Sequence, residues 1–264
     1  MTQSAQPVIN QPFLYSNGFK LSVASNTTLT CTAGQCRDST NTYDINLGNY
    51  LGANPNLDSD TSVTLTATVN GVNGLDTGDF DASKTYAVFA ISDPITGNAT
   101  ALLMSLSATT PLMPFGYSAF RRIGWAFSDS STHFIAFDQT GNRNEKFYQW
   151  ATPISVLTAG TANSNFAAVS LAAGAPDQAT PVYLYATLTP NAASDTLDIR
   201  PTGSSSAAGS CPIRMVGQVA SVVVAGNMIK LLPLLSGGHA SLDYKLNTGS
   251  AAATIKVAAF EDTI

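Results

Sequence analysis

A few positions in this 264-residue chain carry residue types that can do chemistry. Asp76-Thr77-Gly78 spells the D-T-G of an aspartic-protease half-site. That chemistry needs two carboxylates sharing one proton, each presented on an apolar strand. Here Asn73-Gly74-Leu75 precedes the triplet, Asp79 follows it, and only a homodimer could supply a second copy. A Gly-rich turn with an Asp-capped backbone is the reading that fits these neighbours. Asn54, Asn56, Asp58 and Asp60 alternate in an oxygen-rich stretch. An EF-hand loop would need Gly at its sixth position and a bidentate Glu at its twelfth. Those positions hold Ser59 and Leu65, so a surface loop is expected.

The two histidines, His133 and His239, lie far apart, each beside a turn, and no G-x-S-x-G elbow accompanies them. Glu145 and Glu261 are the only glutamates, and nothing nominates a carboxylate pair of the glycosidase kind. Cys31, Cys36 and Cys211 make an odd count, which argues against a disulfide framework. Buried thiols acting as small hydrophobes are expected, with a Cys31–Cys36 bridge across a turn as the alternative. The expectation is therefore no enzyme, no catalytic residue, no metal site and no cofactor.

Aromatic residues concentrate between positions 115 and 150. Trp125 and Phe127 share a strand face with Ile123 and read as core. Phe147, Tyr148 and Trp150 follow a polar turn in NRNEKFYQW. They are the candidates for an interface or glycan contact, because exposed aromatics stack on sugars and anchor protein partners.

Composition narrows the classes further. The chain is 44% hydrophobic, so a sizeable core is available, but only 11% of residues are charged. Soluble domains average ~25%. Small neutral residues must cover the surface, which suits packed assemblies, since interface cores are depleted in charge. Net charge is −5 and the only adjacent basic pair is Arg121-Arg122. Nucleic-acid capture needs clustered cations, so no nucleic-acid partner is expected. No apolar run approaches the ~20 residues of a membrane helix. The opening MTQSAQPVINQPF lacks the pattern of a signal peptide, which predicts synthesis in a cytoplasm.

The elements that would position these residues are strands. Residues 1–20, with Pro7 and Pro12, read as an extended N-terminal arm. Leu21, Val23, Leu29 and Cys31 alternate, as do Tyr43, Ile45 and Leu47. Val63, Leu65, Ala67 and Val69 predict one strand facing one way, ended by the Asn70-Gly71 turn. YAVFAI, ATALLMSL, RRIGWAF and HFIAF follow, separated by turn signals. After the small polar stretch TAGTANSN the pattern restarts with NFAAVSL, PVYLYATLTP, DTLDIRP, IRMVGQVASVVVAG, MIKLLPL, ASLDYKL and AATIKVAAF. Short strands at ~8–12-residue spacing indicate a sandwich or barrel, and no window shows helical periodicity. The expectation is an all-β protein with two β-sandwich, jelly-roll-like lobes, residues 20–157 and 160–264, behind the arm. The order of strands around RRIGWAF and around IRMVGQVAS suggests a faint internal echo.

Several strings occur together in the first half. They are Ala33-Gly34-Gln35-Cys36-Arg37-Asp38-Ser39-Thr40-Asn41, Tyr43-Asp44-Ile45, Asn73-Gly74-Leu75-Asp76-Thr77-Gly78, Thr85-Tyr86-Ala87-Val88, Pro114-Phe115-Gly116-Tyr117, Arg121-Arg122-Ile123-Gly124-Trp125 and Phe137-Asp138-Gln139. In this combination, over roughly residues 20–150, the chain resembles a module of tailed-bacteriophage virion structural proteins of the fibre, spike or decoration type. The resemblance implies a homo-oligomer, with a trimer as the expected state, located in the virion and made in the host cytoplasm. It implies other phage capsid or tail proteins as partners, and no activity. The alternative expectation, resting on Phe147, Tyr148 and Trp150 rather than on the resemblance, is a carbohydrate-binding receptor-recognition module with host surface glycan as its partner.

Overall fold

The computed structural model describes residues 15–48, 61–95, 99–141, 144–162, 164–177, 181–236 and 239–264. Residues 1–14 of the expected arm and the Asn54–Asp60 motif lie outside these. The described residues form strands, turns and irregular segments, with no helix. The first half holds β1 (Ser16–Gly18), β2 (Leu21–Ser25), β3 (Thr28–Cys31), β4 (Gly34–Arg37), β5 (Asp44–Leu47), β6 (Val63–Thr66), β7 (Gly74–Leu75), β8 (Thr85–Ser92), β9 (Ala101–Ser105), β10 (Ala119–Phe127) and β11 (Phe137–Thr140). Then come β12 (Glu145–Gly160), β13 (Ala167–Ser170), β14 (Val182–Thr189), β15 (Thr196–Pro201) and β16 (Ile213–Val216). The last four are β17 (Val224–Leu231), β18 (Leu234–Ser236), β19 (His239–Leu246) and β20 (Ala252–Thr263).

Five sheets result, ordered β1-β4-β5, β2-β3-β6, β10-β8-β9-β7, β11-β12-β20-β14-β17 and β13-β19-β15-β16, with β18 added beside β19. Among the described residues none closes into a barrel, and the protein is all-β of the sandwich type. The described end of the arm, β1, packs along the molecule as an antiparallel partner of β4.

Two kinds of strand follow from two sequence patterns. In β14, Val182, Leu184, Ala186 and Leu188 are buried, while Tyr183, Tyr185 and Thr187 between them are only partly covered. Period-two alternation of this kind marks a strand with one face on the core. β8, TYAVFAIS, is apolar from Tyr86 to Ile91 and buried at every position after Thr85. It is the inner strand between β10 and β9.

The boundary expected between residues 157 and 160 falls inside β12. This strand pairs along its length with β20, from Glu145↔Thr263 to Gly160↔Ala253. One contiguous cluster of buried side chains runs from Phe19 to Phe260. Its centre is aromatic: Phe127 of β10 meets Trp150 of β12 edge-on at 4.9 Å. Tyr148 stacks on its cross-strand partner Phe260 at 4.6 Å and 6°. Such pairs add stabilisation beyond the area they bury.

Three other expectations are corrected. The strand from Val63 stops at Thr66, because Val69 N–H turns back onto the Thr66 carbonyl and leaves the Val69 side chain exposed. IRMVGQVASVVVAG is not one strand but β16, a loop, and the start of β17, which takes in Met228–Leu231. The internal echo is absent from the topology. β8 and β10 are neighbours in one sheet, whereas their counterparts β14 and β16 lie in different sheets.

Gly124 sits at a bulge in β10. A Cβ there would lie 2.3 Å from the Tyr148 hydroxyl oxygen. Its absence lets that buried oxygen accept hydrogen bonds from Trp125 N–H (3.0 Å) and Gln139 Nε2 (2.7 Å). Gln139 Oε1 in turn accepts from Leu21 N–H at 2.6 Å. Tyr148→Phe leaves two buried donors unpaired, and loss of about 1–3 kcal/mol is expected. Urea unfolding of the variant beside the parent chain measures it; an unchanged midpoint would show the network to be idle.

Candidate interaction surfaces

The aromatic run expected to meet partners is mostly core. β12 alternates from its first residues, and the inward phase takes Lys146, Tyr148 and Trp150. Tyr148 is fully buried, Trp150 is 3% exposed, and the Trp150 indole N–H donates to Gly174 O at 2.9 Å. Neither presents a face to a glycan or a second protein. Phe147 has the outward phase and is half-buried, edge-on to Tyr183 at 5.4 Å. The polar turn before the run suggested a loop, but the period-two spacing of positions 146, 148 and 150 carried the contrary signal.

The other chemistry-bearing residues have structural partners. Asp76 accepts from Leu112 N–H at 2.9 Å, and Gly78 adopts φ 78°, as expected of a turn. His133 is half-exposed, 3.9 Å from Asp129. Glu261 accepts from Lys230 Nζ at 2.7 Å and from the Tyr183 hydroxyl. Those bonds, with Lys230 first, hold its carboxyl below the usual range. Glu145 stands exposed at the start of β12. Cys31 and Cys36 are buried free thiols, and Cys211 is free and partly covered. Burial pushes the Cys31 thiol up to about 12, against the opposing charge of Lys146, and raises Cys36 further. Neither is a nucleophile near neutral pH. Among the described residues no group of three or more His, Cys, Asp or Glu could hold a metal ion.

The basic pair Arg121-Arg122 is a clamp on β20. Arg122 Nη1 donates to Asp262 Oδ2 at 2.6 Å and Nη2 to Thr263 O at 3.0 Å. Arg121 Nη2 donates to Ile264 O at 2.9 Å. Lys146, buried opposite Asp262, donates to Gly18 O at 2.6 Å. The RDSTN string is a second such device. Arg37 pairs with Asp44 at 3.0 Å, and Asp38 caps its own turn.

Two stretches of the surface are apolar and uncharged. No Asp, Glu, Lys or Arg occurs between Asp93 and Arg121, or between Arg214 and Lys230. In the first stretch Ile95, Leu106, Leu112 and a fully exposed Phe115 face outward on the loops flanking β9 and β10. In the second, Val219 and Val222 are each 57% exposed, with Val223 beside them. That loop joins β16 to β17, which are edge strands of two different sheets and lie against one another. Edge strands usually carry charge or proline that blocks further pairing. β17, VAGNMIKL, carries only Lys230, held by Glu261. These surfaces were not singled out from the sequence. Their signal was the local absence of charge, hidden beneath a chain-wide average.

No protein-family model matches the sequence, and no curated protein matches it. Solved structures to which the chain is similar include a Cry1Da tryptic core variant of Bacillus thuringiensis, at 11% identity and TM-score 0.23. The insecticidal delta-endotoxin Cry8Ea1 of the same organism stands at 7% and 0.22, and its mosquito-larvicidal Cry4Aa toxin at 9% and 0.23. The alignments cover 93%, 96% and 96% of this chain but 51%, 53% and 52% of theirs. The chain thus spans about half the length of those structures. Likeness at such TM-scores carries no argument about fold or function.

Asp38 supplies a test of the turn reading. Burial alone would raise its carboxyl, but bonds from the Thr40 hydroxyl and the N–H groups of Tyr43, Thr42 and Thr40 outweigh that and hold it below the usual range. The unfolded chain then binds the proton more tightly than the folded one. Asp38 therefore stabilises the fold above the ordinary carboxyl pKa of about 3.9, and this contribution is lost as pH falls below it. Urea midpoints from pH 7 to pH 3 should fall more steeply for the parent chain than for Asp38→Asn; parallel curves would contradict the assignment.

Proposed function

We propose that this chain is a structural component of a bacteriophage virion, of the fibre, spike or capsid decoration type, and that it assembles as a homotrimer. The observation that carries the reading is the pair of charge-free stretches whose exposed apolar residues face outward, one of them at the meeting edges of two sheets. Apolar surface of this kind is stabilised on leaving water and leaves no buried charge unpaired when copies pack. The resemblance of the motif string in residues 20–150 to tailed-phage virion modules supports the particle setting. The residues that might have signalled an enzyme are occupied in turns, clamps and core.

The subunit contact is assigned to the Val219–Val223 loop and the β17 edge. Sedimentation equilibrium at about 50 µM should give three times the chain mass of 27.4 kDa. Val222→Asp with Val223→Asp places two charges in that contact and should shift the protein to monomer with its fold retained, because both side chains are already exposed. A monomeric parent chain, or a trimer indifferent to the substitutions, would overturn the reading.

A further inference from the structure

The exposed valines between β16 and β17 sit on a loop that folding has already shaped. This loop, residues 217–223, lies against the turn that joins β14 to β15, residues 190–195. Gly217 N–H donates to Asp195 O at 2.7 Å, and Ser194 N–H donates back to Gly217 O at 2.8 Å. Ser221 N–H donates to Pro190 O at 2.8 Å, and Val222 N–H closes onto Val219 O at 3.4 Å. A Cβ on Gly217 would lie 2.6 Å from Pro190 Cβ, so glycine is what lets the two segments come this close. Val219, Val222 and Val223 are left facing outward.

Two residues of this junction hold left-handed backbones, Ser194 at φ 74° and Ser221 at φ 62°. Each is a residue whose N–H crosses from one segment to the other. A left-handed backbone outside glycine is costly and persists only where its surroundings enforce it. Here the enforcing group is a carboxylate. Asp195 is 2% exposed. Its Oδ2 accepts from Asn191 N–H at 2.7 Å and from Ala192 N–H at 2.9 Å, which curls the turn back on itself. Its Oδ1 accepts from the Thr248 hydroxyl, on the β19–β20 turn, at 3.1 Å. Asn247 on that same turn donates from Nδ2 to Ser194 O at 3.2 Å and accepts from Thr196 N–H at 2.7 Å. Three turns are therefore tied in series: the β19–β20 turn holds the β14–β15 turn, which holds the valine loop.

We infer that Asp195 is the positioning residue of the subunit contact: from a buried place out of reach of a neighbouring copy, it fixes the shape of the valine loop before copies meet. The inference rests on the reading of that loop as the contact. A loop ordered in advance has little freedom left to lose on association, whereas a loose one must be ordered at that moment. Without the carboxylate, the N–H groups of Asn191 and Ala192 lose their acceptor and the turn opens. Ser194 and Ser221 then leave their left-handed conformations. The three valines remain on the surface, but they are no longer presented together.

The test combines sedimentation equilibrium with amide hydrogen exchange on the full chain. Exchange is read in the Val222→Asp, Val223→Asp background, where burial between subunits cannot protect the loop. Asp195→Ala should speed exchange at Gly217 and Ser221 about tenfold or more. In the parent background it should weaken association by a similar factor, about tenfold or more. Thr248→Val removes only the Oδ1 bond; it should move both readings the same way by less, and it serves if the alanine variant does not fold. Asp195→Asn should restore most of both, because its amide oxygen still accepts from the turn and its Nδ2 can donate to the Thr248 hydroxyl oxygen. Asp38→Ala is the control: Asp38 caps a turn of the same kind elsewhere, so its loss should lower the urea midpoint and leave both readings unchanged. Unchanged exchange at Gly217 and Ser221 would overturn the proposal, as would association weakened equally by Asp38→Ala or an asparagine variant as loose as the alanine one. A monomeric parent chain would remove the assembly reading, while the exchange result would still decide whether Asp195 shapes the loop.

Discussion

The Asp262 carboxylate is the group on which the arrangement of strands turns. It is fully buried and held at 2.6 Å by Arg122, which lies 140 residues earlier in the chain. A buried carboxylate is costly unless it is paired and hydrogen-bonded. β20 is therefore fixed where β10 can reach it. It is the middle strand of its sheet, between β12 and β14, so fixing it fixes both neighbours. Lys146 extends the same junction to β1 through Gly18 O. Tyr148, next along the inward face of β12, places its hydroxyl against the β10 bulge that Gly124 makes possible. First-half and second-half strands thus share one core, and the strongest charges of the chain are spent holding it together.

The same junction explains how much of the structure was legible in the sequence. Strand existence was legible nearly everywhere, because alternation and turn residues act locally: PVYLYATLTP, DTLDIRP and AATIKVAAF all became strands. The turn reading of Asp76-Thr77-Gly78 also rested on its immediate neighbours. Lobe division was not legible, since TAGTANSN has the composition of a linker but its first residues continue a strand that pairs with β20. The roles of Arg121, Arg122 and Lys146 were likewise out of reach, because their partners are set by topology rather than by spacing. Tyr148 and Trp150 failed for a different reason. Their polar flank was weighed above their own periodicity, and burial followed the periodicity.

The interior and the surface divide the chemistry between them. Inside, carboxylates, guanidinium groups and thiols are consumed by turns, clamps and packing. Outside, the β16–β17 edge and the β9–β10 loops present apolar side chains with few charges. A subunit that meets copies of itself through such edges and leaves its loops outward would suit a repeating particle surface.

The central claim is that this chain is built into a phage particle. Immunogold electron microscopy tests it most directly, using antibody to this chain on phage particles purified from the lysed host. The account predicts gold at one fixed place on each intact particle, with the chain surviving in particles washed at high salt. Gold confined to free protein and debris, with particles unlabelled, would contradict it.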